Sequence, residues 1–474
     1  MSDPGGRAPV ILIRGGTLVD AAGARPGDVM IVGERIAGVG AGLPDEGADV
    51  VDASGALVVP GGIDVHTHFD LPVGGVRSAD DFETGTMAAA CGGTTCVVDF
   101  AGAGRESPEE ALAEWHAKAS HRAVVDYAFH VTLTAVPEED DRAQEMFRWL
   151  LGQGVSSVKL YMAYPDRLMV DDATLARALA TGAATGVLVC VHAEDGMAVE
   201  RAVAETFRDG RTDPLTHARV RPPEVEAEAV RRAGDLARAA RAPIHIVHLS
   251  SAAGLEAVRA ARSRGARIFV ETCPQYLWLT EDRLAGPAET TQNFVCAPPL
   301  RTEQDTRALW DGLADGSIDL VATDHCPFTT ADRREGVRGG GWSNFTEIPG
   351  GLPGVETRLG LIYQGVRDGR YSAERWVELC AGAPARVFGL SRSKGQLREG
   401  FDADVVVFDP EAHRSLDAGH LHMATDHSPY AGMDVTGWPA LTFARGRLVA
   451  KGGDPADAEG GWGRFVPRSA RQSG

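Results

Sequence analysis

Leu57-Val58-Val59-Pro60-Gly61-Gly62-Ile63-Asp64-Val65-His66-Thr67-His68 is an apolar run that breaks at a glycine pair and closes on two histidines. In a buried strand, residues i and i+2 share a face, so both imidazoles leave the strand's end toward one point. Two neutral imidazoles converging in this way can hold a metal. The same pair is also met as an ordinary polar strand end, so its meaning depends on the rest of the chain.

Outward from this stretch, apolar runs of strand length recur between Ala-, Arg- and Glu-rich intervals of helical character. They are Ile63–His68, Thr94–Phe100, Val124–Leu133, Ser157–Met162, Leu188–Glu194, Ile244–Ser250, Arg267–Thr272 and Ile318–Asp324. Continuous apolar strands alternating with helices imply a parallel sheet, and eight such units imply its closure into an α/β TIM-type (β/α)8 barrel. Helices are expected over Glu224–Ala240 and Ala252–Ser263, the latter with Leu255, Val258 and Ala261 facing the sheet. Short alternating runs with turn glycines before residue 59, and again in Ala403–Asp409 and Ala440–Val449, predict a small β-sandwich domain built from both chain ends. The expected boundaries are residues 1–58 and 389–474 for that domain and 59–388 for the barrel. Residues 455–474, rich in Gly, Ser, Arg and Asp, are expected to be a frayed tail.

A chain of 474 residues is long enough for such a barrel plus an accessory domain. The balance of 47 Lys+Arg against 66 Asp+Glu gives a net charge of −19, which repels polyphosphate and argues against a nucleic-acid partner. No stretch is apolar for long enough to cross a bilayer, and the first residues lack the apolar region of a secretory signal, so no membrane partner and a cytoplasmic location are expected. Seven cysteines (Cys91, Cys96, Cys190, Cys273, Cys296, Cys326 and Cys380) lack metal-ribbon or disulfide-framework spacing and read as reduced, mostly buried thiols.

In a barrel of this kind, chemistry collects at the carboxyl ends of the strands. The first run ends in His66 and His68, the fifth at His192, the sixth at His248 and the eighth at Asp324, while the fourth carries Lys159. Taken singly, each is as readily a satisfied polar group, a helix cap or a salt-bridged lysine. Together, four imidazoles and a carboxylate at barrel-compatible positions form a metal shell. Lys159, if buried and deprotonated, could take up carbon dioxide to give a carbamate that bridges two ions. His116, His121, His217, His413, His420, His422 and His427 fall in helical or loop stretches. His130 lies inside the third run, His245 is expected on the opposite face from His248, and His325 is placed to orient Asp324.

The chain resembles the dihydropyrimidinase/hydantoinase family of cyclic amidohydrolases along nearly its whole length. The motifs are Gly61–His68, Asp80–Thr86, Gly92-Gly93-Thr94-Thr95, Ser156–Tyr164, Glu271–Leu277 and Thr323–Phe328. The resemblance implies two divalent ions, usually Zn2+, with His66, His68 and Asp324 on one, His192 and His248 on the other, and carbamylated Lys159 between them. It implies Asp324 as general base, Tyr164 as hydrogen-bond donor to the developing oxyanion, and substrate recognition by Tyr164, Cys296, Ala297 and Gly350, largely through main-chain groups. It also implies a homo-oligomer, tetramer or dimer.

The resemblance departs from the family pattern at two places. Ala297 stands where Ser usually precedes Pro-Pro-Leu-Arg, and Gly350 stands where Asn follows Ile-Pro. Phe69, Leu71, Tyr161 and Leu168 are expected to wall the exocyclic substituent. The reaction implied is hydrolysis of a hydantoin or dihydropyrimidine ring to an N-carbamoyl amino acid. Allantoinase or another cyclic ureide hydrolase is the alternative. Dihydroorotase fits less well, for want of an identifiable cationic pocket, and a non-catalytic scaffold relative would have lost metal ligands that this chain retains.

Overall fold

The computed structural model describes residues 8–20, 23–102, 106–336, 344–456 and 460–470. Eight strands follow one another around a parallel sheet: Gly62–Thr67, Thr94–Ala101, Asp126–Thr132, Ser157–Tyr161, Leu188–His192, Pro243–Ile246, Arg267–Thr272 and Leu320–Val321. The last meets the first beyond its own end, where Thr67 bridges His325 and the His68 N–H donates to the His325 carbonyl at 2.9 Å. The expected TIM-type barrel is thus present. Its strands read as unbroken apolar runs because helices cover one face and side chains fill the other.

Alternate strand residues build the interior layer. Ile63 and Val65, Cys96 and Val98, Leu188 and Cys190, and Leu320 and Ala322 pack in one apolar cluster with the helix Ala383–Val387 and Phe388. Continued upward, the same alternation places Lys159, His192 and Asp324 on the interior face. It does not by itself place His66, which follows Val65 directly. The pairing register slips between Asp64 and Thr67, and that irregularity lets His66 join the interior group.

The helices match their expected spans closely, at Pro223–Ala240 and Ala252–Ser263. The Ser251 hydroxyl accepts the Gly254 N–H at the start of the second, and Leu255, Val258 and Ala261 form its buried face.

Strands from residues 10–60 and 405–455 form a separate nine-stranded sheet. Leu57–Pro60 is its hinge element, parallel to Val10–Asp20 on one side and antiparallel to Val405–Ser415 on the other. Two residues later the chain is a barrel strand. A Cβ at Gly61 would lie 2.1 Å from the Thr95 hydroxyl oxygen, so only glycine passes there.

The frayed-tail expectation is corrected for residues 460–470. The Tyr127 N–H donates to the Arg464 carbonyl at 2.9 Å, the Val466 N–H returns to the Tyr127 carbonyl at 2.8 Å, and Arg468 is buried. Backbone pairing along the third barrel strand holds a segment whose composition alone suggests disorder. Residues 457–459 and 471–474 of that tail lie outside the described residues.

Candidate metal centre

His66 and His68 meet Asp324 across the closure of the barrel. Asp324 Oδ1 lies 3.0 Å from His66 Nε2 and 3.1 Å from His68 Nε2, and the three donor atoms fall within 4.8 Å of one another. Asp64, fully buried, braces this junction by accepting the His66 N–H at 3.2 Å, the Thr323 N–H at 3.1 Å and the Thr323 hydroxyl at 2.6 Å.

The second pair sits beside the first. His192 Nδ1 and His248 Nε2 are 2.9 Å apart, and the His66 and His248 ring centroids are 5.4 Å apart. His248 follows its strand with φ +40°, Asp324 has φ +53°, and Tyr164 φ +66°. Left-handed backbone at three non-glycine residues costs about 1–3 kcal/mol each, and all three belong to this site. That turn at His248 corrects the opposite-face expectation for His245. The His245 ring donates from Nε2 to Glu271 at 2.9 Å, on the interior side where the His248 ring stands 5.4 Å from that of His66, and the His248 main-chain N–H meets the same carboxylate at 3.2 Å.

Glu271 and Glu194 were not among the expected site residues. Glu271 also takes a hydrogen bond from His66 Nδ1, and Glu194 Oε2 lies 2.8 Å from His192 Nε2. Each carboxylate fixes the tautomer of its histidine, leaving the other ring nitrogen as a lone-pair donor aimed at the site. Burial opposes ionisation of both acids, but their histidine partners hold each at about 2. The spacing His192–Glu194 is again i, i+2 and carried the signal; Glu271 lay within a recognised motif.

Charge follows the same pattern. Burial works against imidazolium at His66, yet Asp324 and Glu271 lift it to about 9; burial lowers His68 to about 4. His192 and His248 are both lowered, chiefly by burial. Burial would raise the Asp324 acid, but His66 and His68 hold it well below its usual range. His68, His192 and His248 are thus neutral imidazoles and Asp324 is ionised, while His66 carries a proton that a divalent cation would displace to complete the donor set.

Lys159 is 1% exposed. Its Nζ lies 4.8 Å from the centre of the Phe100 ring and 5.0 Å from that of Tyr161, and among the described residues no carboxylate comes within ion-pair distance. Burial pushes its pKa down to about 8.

Tyr164 lies 5.3 Å from His192, ring to ring, and burial and Glu194 raise its phenol, which stays protonated as a donor. Cys296 is buried, Ala297 part-exposed and Gly350 exposed; the Gly351 N–H donates to the Val295 carbonyl at 2.9 Å, so the two segments run side by side. A Cβ at Gly350 would meet nothing nearer than 3.8 Å. His217, on the helix Pro214–Arg219, is buried and donates from Nε2 to the Cys296 carbonyl at 2.7 Å. Phe69 is a correction: it is fully buried against Phe82 and His325, at 5.3 and 5.5 Å, and cannot wall a substituent. Leu71, Tyr161 and Leu168 keep partial exposure.

His130 instead bonds Ser157 Oγ at 2.6 Å and the Val65 carbonyl at 3.0 Å beneath the site. His325 reaches Asp80 at 3.1 Å and accepts the Gly354 N–H, which anchors the backbone next to Asp324.

The amidohydrolase family profile matches residues 57–449. A D-hydantoinase of Streptomyces coelicolor is 41% identical over 97% of this chain and 98% of its own length. A D-phenylhydantoinase of Escherichia coli is 40% identical, with the same coverage. The crystal structure of dihydropyrimidinase from Brevibacillus agri superposes with a TM-score of 0.94 at 38% identity, covering 98% of this chain and all of the other.

Proposed function

The chain belongs to the amidohydrolase family, and within it we propose a hydrolase that opens a hydantoin or dihydropyrimidine ring to an N-carbamoyl amino acid. The observation that carries this reading is a buried lysine with no carboxylate within ion-pair distance among the described residues, beside two histidine pairs and an ionised aspartate. His66, His68 and Asp324 would hold one divalent ion and His192 and His248 a second, with Lys159, carbamylated at Nζ, between them. Bound there, a pair of ions, zinc by preference, supplies an acidified water and a polarised carbonyl to a ring amide that is otherwise inert.

The chain's own groups then act on protons and orientation. Asp324 takes the proton of the attacking water and returns it to the ring nitrogen as the carbon–nitrogen bond breaks. Tyr164 donates its phenol hydrogen to the carbonyl oxygen as that oxygen gains charge. Main-chain groups of Cys296–Ala297 and Gly350 read the imide edge, and Glu271 and Glu194 keep their histidines oriented. The ring opens to a carboxylate on one side and a free ureido group on the other.

Free, buried cysteines support a reducing, cytoplasmic location. A homotetramer or homodimer is the assembly proposed. Hydrolysis of dihydrouracil, hydantoin, phenylhydantoin, allantoin and dihydroorotate by zinc- and bicarbonate-supplied protein tests the reading. Turnover of the hydantoins or dihydrouracil, with two ions per chain, supports it; turnover of allantoin alone overturns it.

A further inference from the structure

Resting on that reading of the imide edge, we propose that Arg333 is a positioning residue that sets the spacing of the two main-chain segments receiving the substrate. Arg333 lies on the helix Thr330–Gly336, nine residues beyond Asp324, and its side chain is fully buried. Nη1 donates to the carbonyls of Gln292 at 3.0 Å and Pro349 at 2.7 Å, and Nη2 donates to the carbonyl of Gly351. One rigid fork therefore ties the residues before Cys296 to those on both sides of Gly350. Ala297 and Gly350 remain open while Val295, Cys296, Pro349 and Gly351 around them are buried.

Among the described residues no carboxylate lies within ion-pair distance of this guanidinium, and its Nε has no partner. Burying a cation without a counter-ion costs several kcal/mol, so it is an expensive way merely to fill space. Only arginine offers planar donors that reach three carbonyls at once; lysine keeps the charge but is a single point. A second tether, the bond to the Cys296 carbonyl from His217 on the helix Pro214–Arg219, holds the same segment. With both edges of the recognition strip fixed, the bound ring meets preset donors and acceptors rather than ordering them on arrival.

Arg333→Lys and Arg333→Ala are compared with wild type on whichever ring the wild-type enzyme opens. The expected result is a KM raised by about ten-fold or more with kcat within about three-fold, the pattern for loss of binding shared by ground and transition states. Metal content should be unchanged, guanidinium ion should lower the KM of Arg333→Ala, and amide exchange should quicken only across residues 292–297 and 349–352. A folded, metal-loaded variant with wild-type KM, or with kcat reduced and KM intact, overturns the proposal. Global loss of folding in both variants overturns it too, since the residue would then serve the fold rather than the strip. Wild-type protein that opens no cyclic ureide defeats the functional reading instead, and the exchange measurement still judges Arg333.

Discussion

Lys159 and Lys394 are both 1–2% exposed, yet opposite surroundings give them opposite chemistry. Lys394 touches Asp126 at 2.8 Å, Asp402 at 3.1 Å and Asp404 at 2.5 Å, and these acids outweigh burial and hold it charged. Lys159 faces two aromatic rings, and burial leaves it an amine ready to lose its proton near neutral pH. Lys159→Ala should abolish turnover, and acetate or propionate should restore part of it by supplying the missing carboxylate. Full activity of that variant without additive would exclude the bridging role. Tyr164→Phe should lower kcat by about 10²–10³, the worth of one oxyanion donor, with metal content unchanged. An equal loss of bound metal would show that the ring supports His192 instead.

At the scale of elements, the passage from the outer sheet into the barrel hangs on one residue. Gly61 separates Leu57–Pro60 from Gly62–Thr67, and Thr95 occupies the space that a side chain there would need. Gly61→Ala should destabilise the protein by about 1–3 kcal/mol through overpacking. Thermal unfolding of Gly61→Ala, Thr95→Ala and the double variant would measure the coupling. Part of the loss should return in the double variant, and purely additive losses would place the strain elsewhere.

For the whole molecule, the Lys394 cluster fastens the third barrel strand, through Asp126, to the sheet domain, through Asp404 and Arg445. Lys394→Met should cost about 3–5 kcal/mol at neutral pH, because it leaves buried carboxylates without their ammonium. The pH dependence has a definite sign. In wild type, Lys394 is raised, so its contribution is complete below its unfolded value of about 10.4 and fades only above it. Asp126 is lowered, so its contribution is complete above its unfolded value of about 3.9 and is lost as pH falls through its folded value. In the variant, the crowded carboxylates bind protons more readily when folded than when unfolded, and acid relieves them. The stability gap should therefore narrow as pH falls below about 5, by calorimetry of both proteins. A gap constant from pH 7 to 4 would remove this cluster as the cause.

Eight apolar runs with helical intervals were enough to specify the barrel, because strands buried on both faces carry no polar alternation and parallel pairing demands crossovers. Strand-end positions were enough to single out His66, His68, His192, His248 and Asp324 as candidates, since residue spacing fixes which end of a strand a side chain occupies, whereas Lys159, inside its run, drew its proposed role from the family resemblance. Three things depended on the folded chain. The slip between Asp64 and Thr67 and the left-handed turn at His248 override simple alternation, and local sequence does not encode where neighbouring strands force such breaks. Glu271 on His66, Asp80 on His325 and the 460–470 segment on the third strand are contacts between residues far apart in the chain. Which lysine is reactive and which aromatic lines the mouth were likewise decided by packing, because burial and the nearest charge set a side chain's proton affinity and exposure, and both exist only once distant segments have met.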